Sequence, residues 1–328
     1  MRIAFVTGST GFLGLNLIGE LKTGDWEIYA LHLPGEDLRC LNKLNVIPVA
    51  GNILDPGSLV RAIPEKADAV FHVAGDTSMW ERHRDRQYAI NVIGTRNVVN
   101  ASIAKHAGRF IHTSSISAYG YHPGTVVSEH TASNALSCKM NYNITKYLAE
   151  QEVRKGMDAG LSAVIMNPCN IIGPYDRSNW SQIIKSVLHD ALPGIPPGKA
   201  TFAHVKDIAR AHIAAVDKGR PGENYILGGI CADFKEVINE IQRLLGKPAG
   251  GNTVSRGILR LAMYSSMLRS LIGRGEPSIT PAKYKRLVGA LLCDDRKAGR
   301  ELGFATRPLD RMLADSYEWL KQENLLES

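Results

Sequence analysis

The chain has 328 residues, of which 44% are hydrophobic and 22% charged, and carries a net charge of +7. That length buries a substantial core in one large or two moderate domains, and the composition is that of an ordinary soluble globular protein. The positive charge suits anionic ligands such as cofactor phosphates. However, the basic residues form no long tract and no basic stripe interleaves with aromatics, so nucleic acid is not an expected partner.

The first segment, Arg2-Ile3-Ala4-Phe5-Val6-Thr7, reads directly as a strand, without the charged region and cleavage site of a signal peptide. Further strands are predicted at 28–33, 46–50, 69–74, 110–114 and 163–167, Val/Ile/Ala-rich runs without polar alternation, as in parallel strands covered on both faces. Helical patterns lie between them at 12–22, 56–63, 84–106 and 140–158. Such alternation specifies an α/β fold, a doubly wound parallel sheet of the Rossmann kind. After Asn167-Pro168 the pattern changes to a Pro-punctuated stretch with one helix at 180–190. An α/β unit at 205–228 follows, ending in Asn224-Tyr225-Ile226-Leu227, and then a mostly helical remainder with helices at 234–245, 256–272, 281–291, 294–302 and 308–321. The expected division is a dinucleotide domain of residues 1–170 and about 201–230, and a smaller, mostly helical substrate domain of 171–200 and 231–328.

Three motifs carry chemistry. Thr7-Gly8-Ser9-Thr10-Gly11-Phe12-Leu13-Gly14 follows the first strand and opens the first helix. Glycines three apart allow a tight turn, a close pyrophosphate and a helix N-terminus aimed at its charge. Thr113-Ser114-Ser115 ends the fifth strand. Tyr142 and Lys146 stand four apart on a helix, hence on one face. A cation beside a phenol favours the phenolate, which suits proton exchange with a carbonyl or alcohol near neutral pH.

The five cysteines (Cys40, Cys138, Cys169, Cys231, Cys293) show no C-x-x-C spacing, and no His, Cys or acid cluster has metal-ligand spacing. They are expected to be reduced and mostly buried in a cytoplasmic protein without a metal site. No apolar run reaches the roughly 18 residues of a membrane span.

In this order the motifs resemble the extended branch of the short-chain dehydrogenase/reductase superfamily, the NAD-dependent epimerase/dehydratase family. The likeness extends to Val70-Phe71-His72-Val73-Ala74-Gly75, Asn91-Val92-Ile93-Gly94-Thr95, Gly173-Pro174 and the late Arg300-Glu301-Leu302-Gly303-Phe304 with Arg307-Pro308-Leu309. Within the branch the chain is most similar to dihydroflavonol 4-reductase-like and hopanoid-associated sugar epimerase-like proteins. The resemblance implies Tyr142 as general acid/base, Lys146 as its cationic neighbour and ribose ligand, and Ser115 as the hydroxyl that orients the substrate carbonyl, with Ser114 as its rival. It also implies a dinucleotide held by Gly8, Thr10, Gly11, Phe12, Leu13 and Gly14, by His32 and Arg39, and by Asn52 and Ile53. Val73, Ala74 and Gly75 complete the cradle with Asn91, Thr113, Lys146, Pro168 and Asn170.

Cofactor choice rests on the end of the second strand, where NAD-specific proteins carry an acid. This chain reads Ala30-Leu31-His32-Leu33-Pro34, with no acid before Glu36, so the expectation is NADP, with NAD as the alternative. Gly51-Asn52-Ile53-Leu54-Asp55 replaces the family's adenine-reading acid by Asn52, whose carbonyl can accept from an adenine amino group. Asp55 reads as a helix cap.

Departures from the family narrow the chemistry. Ile116 and Ser117 stand where dehydratases carry Asp-Glu. Ala200 stands where nucleotide-sugar enzymes carry a diphosphate-binding arginine, with Lys199 one residue off. His204 and Asp207 read as anchors of the return segment. Asn167-Pro168-Cys169 is similar to the Asn-Pro-Ser/Thr of dihydroflavonol-reductase-like proteins. The expected substrate is therefore a small-molecule ketone, aldehyde or secondary alcohol, mid-sized and partly apolar. A sugar epimerase and a non-catalytic dinucleotide sensor are the alternatives, although the sensor reading suits a chain that has lost its tyrosine or lysine.

The segment 255–274 carries Ile258, Leu259, Leu261, Ala262, Met263, Met267, Leu268, Leu271 and Ile272, interspersed with Arg256, Arg260, Arg269 and Arg274. Its foremost reading is a core-packed amphipathic helix. A wall of an apolar pocket and a peripheral membrane contact are the functional ones. A homodimer through the two long helices is the assembly that family members often show.

Overall fold

The computed structural model describes residues 1–273 and 275–327. Arg274 lies outside the described residues with Ser328, and the side chain of Ile272 is likewise not described. In chain order come β1 (Arg2–Thr7), α1 (Phe12–Leu21), β2 (Trp26–His32), α2 (Arg39–Lys43), β3 (Ile47–Ala50), α3 (Pro56–Ala62) and β4 (Ala69–His72). After β4, α4 (Arg84–Tyr88) runs through a five-residue π-helix (Ala89–Ile93) into α5 (Gly94–Ala104). Next are β5 (Arg109–Thr113), β6 (Val126–Val127), α6 (Asn141–Asp158), β7 (Ala163–Pro168), β8 (Asn170–Ile172), α7 (Trp180–Leu188), β9 (Lys199–His204), α8 (Val205–Lys218), β10 (Asn224–Leu227) and β11 (Ile230–Asp233). The chain ends in α9 (Phe234–Leu244), α10 (Arg256–Gly273), α11 (Pro281–Val288), β12 (Ala290–Cys293), α12 (Arg296–Leu302) and α13 (Leu309–Gln322).

Seven strands form one parallel sheet in the order β10-β7-β5-β4-β1-β2-β3. Its strands are buried on both faces because successive side chains alternate. Val70, Phe110 and Ile165 pack under α3, α5 and α6, whereas Phe71, Ile111 and Met166 pack against α1 and α8. The winding reverses between β1 and β4, which opens a crevice at the carboxyl ends of those strands, where α/β sheets of this kind bind ligands.

The second sheet was not among the expectations. It runs β11-β9-β12-β6, with β8 beside β9, and brings together strands from residues 126 to 293. Strands of two to six residues with partners far away in sequence leave no local periodicity to read. The helix expected over 281–291 accordingly stops at Val288, and β12 pairs in parallel with β9. The two units also interleave. β9 belongs to the small sheet, while Ala298, Leu302 and Phe304 pack into the core of the large one. His204 and Asp207 anchor this return: the His204 N–H donates to Thr306, and Asp207 pairs with Arg307 at 2.9 Å.

Candidate functional site

The glycine loop lies at the mouth of the crevice. A Cβ on Gly14 would stand 2.1 Å from the Gly8 carbonyl oxygen, so helix and loop approach as closely as they do only because position 14 has no side chain. Gly11 caps α1 without a side-chain hydrogen bond, and the first-turn N–H groups of Phe12 and Leu13 are left for an anion. Behind the loop the Thr7 hydroxyl accepts from the N–H groups of both Val73 and Ala74 at 3.2 Å and fixes the strand end that leads to Gly75. A Cβ on Gly75 would lie 3.3 Å from Lys146 Nζ, which brings the loop side and the Tyr/Lys helix to one point.

Tyr142 and Lys146 are almost fully buried on α6, at 8% and 5% exposure. Lys146 Nζ donates to the Thr113 carbonyl at 3.0 Å, so the end of β5 sets the ammonium position. Ser115 caps a 3-10 turn (Ile116–Tyr119), and its Oγ accepts from the Ser117 N–H at 3.1 Å. Of the two rival serines, Ser114 has its proton engaged, because its Oγ donates to Glu150 at 2.5 Å. Glu150 there accepts from Asn167 at 2.7 Å and Asn224 at 3.1 Å, a buried network whose carboxyl is pushed up by desolvation. Asn167 Nδ2 also donates to the Ser115 carbonyl at 3.0 Å and steadies the serine from behind.

Asn91 sits on the π-helix. Its side chain takes the Asp76 N–H at 2.7 Å and donates to the Asp76 carbonyl and to Thr145. It therefore holds the loop after β4 onto α6, the backbone-holding role. The extra residue of a π-turn is a common device for aiming such a side chain.

Several expected cofactor contacts are engaged elsewhere. Arg39 is 81% exposed at its side chain and pairs with Asp37 at 2.6 Å. The Asn52 carbonyl that was expected to read adenine accepts from the Leu54 N–H at 2.9 Å, which closes its own turn. Asp55 caps α3 through the Gly57 N–H. Asn170 donates to the Thr201 carbonyl at 3.0 Å, toward the small sheet. His32 contacts the carbonyl of Leu33 at 3.0 Å, and Ile53 packs in the core under Gly94. Conversely, the turn after β2 folds back so that Glu36 accepts from the Leu33 N–H at 2.9 Å and from Thr10 of the glycine loop at 3.2 Å. A carboxylate thus stands where the strand end itself carries none.

Behind the ends of β4 and β5 lie buried histidines that the motif reading did not single out. His72 and His112 stack at 5.4 Å, and His212 bonds Thr113 at 3.0 Å. Burial, with the Lys146 charge second, lowers His72 to about 3. Burial likewise lowers His112 well below the ordinary range and His212 to about 4.

Tyr142 opens on a cavity of about 670 Å³ whose lining includes Met79, Trp80, Met140, Ile144, Met267 and Leu271. Helix α10 supplies the last two. Leu259 and Met263 are buried, but Ile258, Leu261, Tyr264, Leu268 and Leu271 are exposed, so α10 is a pocket wall with a second apolar face rather than a core helix. No helix among the described residues is long and apolar enough to cross a membrane. The cysteines are less buried than expected: none is in the buried class and Cys231 is exposed. From α11, Arg286 reaches over the Tyr142 ring, its Cζ 5.5 Å from the centroid, and donates to Ser117 at 2.5 Å. It stands 144 positions after Tyr142, in a basic run, Lys283-Tyr284-Lys285-Arg286, that carries no local signal.

Comparison with known proteins agrees with this geometry. The model of a family described as the NAD dependent epimerase/dehydratase family matches residues 4–228. A protein of Synechocystis sp. provisionally named dihydroflavonol 4-reductase is 29% identical, over 99% of this chain and 96% of its own. Sterol demethylase protein B of Methylococcus capsulatus is 26% identical, over 98% and 99%. The crystal structure of gox2253 shares the fold with a TM-score of 0.85 at 27% identity, covering 99% of both chains.

Proposed function

The chain belongs to the NAD dependent epimerase/dehydratase family, and from that premise we propose that it reduces a ketone or aldehyde, or oxidises the corresponding secondary alcohol, of a mid-sized and partly apolar compound. The observation that carries this reading is that Tyr142, on one helical face with buried Lys146, lines a cavity whose wall also carries Met79, Trp80, Met267 and Leu271, while a Cβ on Gly75 would lie 3.3 Å from Lys146 Nζ. A bound nicotinamide would supply or accept the hydride. The phenol of Tyr142 exchanges the proton with the substrate oxygen, Ser115 Oγ donates a hydrogen bond to that oxygen, and Lys146 supplies the positive charge beside the phenol. The sterol-related name of one relative supports an apolar substrate. Sugar epimerisation is the second reading, favoured by the family's range but opposed at β9, where Ala200 is buried in the small sheet and Lys199 is exposed.

A screen of apolar ketones, aldehydes and alcohols against NADH and NADPH oxidation or the reverse tests this reading. Net turnover is the expected result. A stoichiometric cofactor that stays bound and never turns over with any carbonyl sinks it in favour of epimerisation.

On cofactor choice the geometry favours NAD over the NADP expected from the strand end. The Glu36 carboxylate bonded to Thr10 repels a 2′-phosphate and accepts from a 2′-hydroxyl, while Asp37 engages Arg39. We expect kcat/KM with NADH to exceed that with NADPH by roughly tenfold, about 1.4 kcal/mol of like-charge repulsion. Glu36→Ala should narrow the ratio, and an unchanged ratio removes the assignment.

A further inference from the structure

Arg286 lies over the Tyr142 ring and has no carboxylate partner among the described residues. Its only described hydrogen bond goes to the neutral Ser117, at 2.5 Å. The neighbours whose charges bear on it are Tyr142, Cys169 and Cys138, with no carboxylate among them, and burial lowers its pKa. Arg286 is half-buried, and a partly desolvated guanidinium without an acid costs stability that nothing on the protein side offsets. A ligand that brings its own carboxylate offsets that cost, because the planar fork accepts a carboxylate on two parallel hydrogen bonds. Arg286 lines a small cavity with Ser117, Tyr121, Met140, Asn143 and a second cation, Lys285; Met140 is shared with the larger cavity that holds Met267 and Leu271.

We propose that Arg286 binds a substrate carboxylate one or two carbons from the reacting carbon, which makes the substrate an apolar hydroxy acid or oxo acid. The hydroxyl or carbonyl sits at Tyr142 and Ser115, the carboxylate at Arg286, and the apolar tail in the cavity walled by Met79, Trp80, Met267 and Leu271. Geometry selects a carboxylate over the diphosphate of a nucleotide sugar. The guanidinium is 5.5 Å from the ring centre of the proton-transferring tyrosine, whereas a sugar diphosphate stands a whole pyranose ring away from the carbon oxidised.

This inference rests on the oxidoreductase reading, and binding is measured apart from turnover. NAD-loaded protein is titrated calorimetrically with 3-hydroxydecanoate and with its methyl ester. Wild type should bind the acid at least about tenfold more tightly than the ester. Arg286→Met should bind both alike, and Arg286→Lys, which keeps charge but loses the fork, should retain part of the preference. Because the arginine has no protein counter-ion, Arg286→Met should also melt no lower than wild type. An equal affinity for acid and ester in wild type overturns the proposal, as does a preference that survives in Arg286→Met or an equal loss for both ligands. Acid-selective binding without any turnover would keep the carboxylate site and remove the oxidoreductase reading instead.

A separate observation concerns the outer face of α10. At 100° per residue, exposed Ile258, Leu261, Tyr264 and Leu268 form a stripe opposite the buried Leu259 and Met263. Exposed Arg260 and Arg269 border that stripe on its two sides, Arg256 adds a third positive charge, and the 18-residue helix contains no acid. A second copy of the chain would set arginine against arginine there. We infer that this face docks on an anionic lipid surface, with the apolar stripe in the acyl boundary and the arginines at the headgroups. The full chain should sediment with phosphatidylglycerol-containing vesicles, and much less with pure phosphatidylcholine or at high salt. The double variant Leu261→Ser, Leu268→Ser should lose at least about fivefold of that binding. No association with anionic vesicles, or association that the double variant leaves intact, overturns the inference, as does a solution dimer that this variant dissociates.

Discussion

Replacing Tyr142 with Phe is expected to lower kcat/KM by about 10²–10⁴-fold, the range for loss of a positioned proton-transfer group. The fold should not suffer. The phenol is 8% exposed and its hydroxyl has no described protein partner, so removing it orphans no buried donor or acceptor. A melting temperature near that of wild type, with cofactor binding retained, would separate lost chemistry from lost structure. Ser115→Ala should cost less, because it removes one hydrogen bond to the substrate oxygen and leaves Lys146 on the Thr113 carbonyl. If Tyr142→Phe turned over within threefold of wild type, the tyrosine would be a packing residue and the proposed proton path would be wrong.

The second large effect is on stability in mild acid. His72, His112 and His212 are buried and neutral, with their pKa values lowered chiefly by desolvation, to about 3 and about 4 for the first and last. In the unfolded chain each returns to about 6.5. Between those values the unfolded state binds more protons, so stability is complete above about pH 6.5 and falls as the pH drops through the interval toward the folded values. At pH 5 the linkage costs about 2 kcal/mol for each of His72 and His212, roughly 4 kcal/mol together, with His112 acting in the same direction, against a total stability of typically 5–15 kcal/mol. Urea unfolding at pH 7.5 and pH 5 should therefore show a sharply lower midpoint at the acid value with little change in slope.

His112 provides the control, because both its ring nitrogens lack a described partner while His72 bonds Thr7 and Thr95. His112→Leu removes a proton acceptor without orphaning another polar group. It should recover part of the acid loss, read as a smaller drop in midpoint between pH 7.5 and pH 5 than in wild type. A wild-type midpoint independent of pH between 7.5 and 5 would refute the account.

Much of the site was legible because its signals are local. The glycine loop is a run of eight residues bridging β1 and α1, and Tyr142 and Lys146 share one helical face by spacing alone. Asp55 as a cap and His204 and Asp207 as anchors were readable for the same reason, since each role lies near its own backbone or in a known frame. Arg286 was not legible, because nothing in a basic run on α11 says that its last member lies over a tyrosine on α6. The Glu36 contact was not legible for a related reason: counted along the chain the acid comes late for the end of β2, and only the turn returns it to Thr10. The foremost reading of α10 erred because apolar periodicity does not say which apolar face a neighbour covers.

The sequence by itself determined the parallel α/β sheet, the glycine loop between β1 and α1 and the shared helical face of Tyr142 and Lys146, since periodicity and short spacings dictate those within one or two turns of chain. Only the tertiary structure decided which serine donates to Glu150, which acid stands by the glycine loop, that a guanidinium overlies the tyrosine, and which face of α10 is left uncovered. These depend on the directions of side chains carried by distant elements. Direction is set when the two sheets and their helices pack together, and no run of neighbouring residues encodes it.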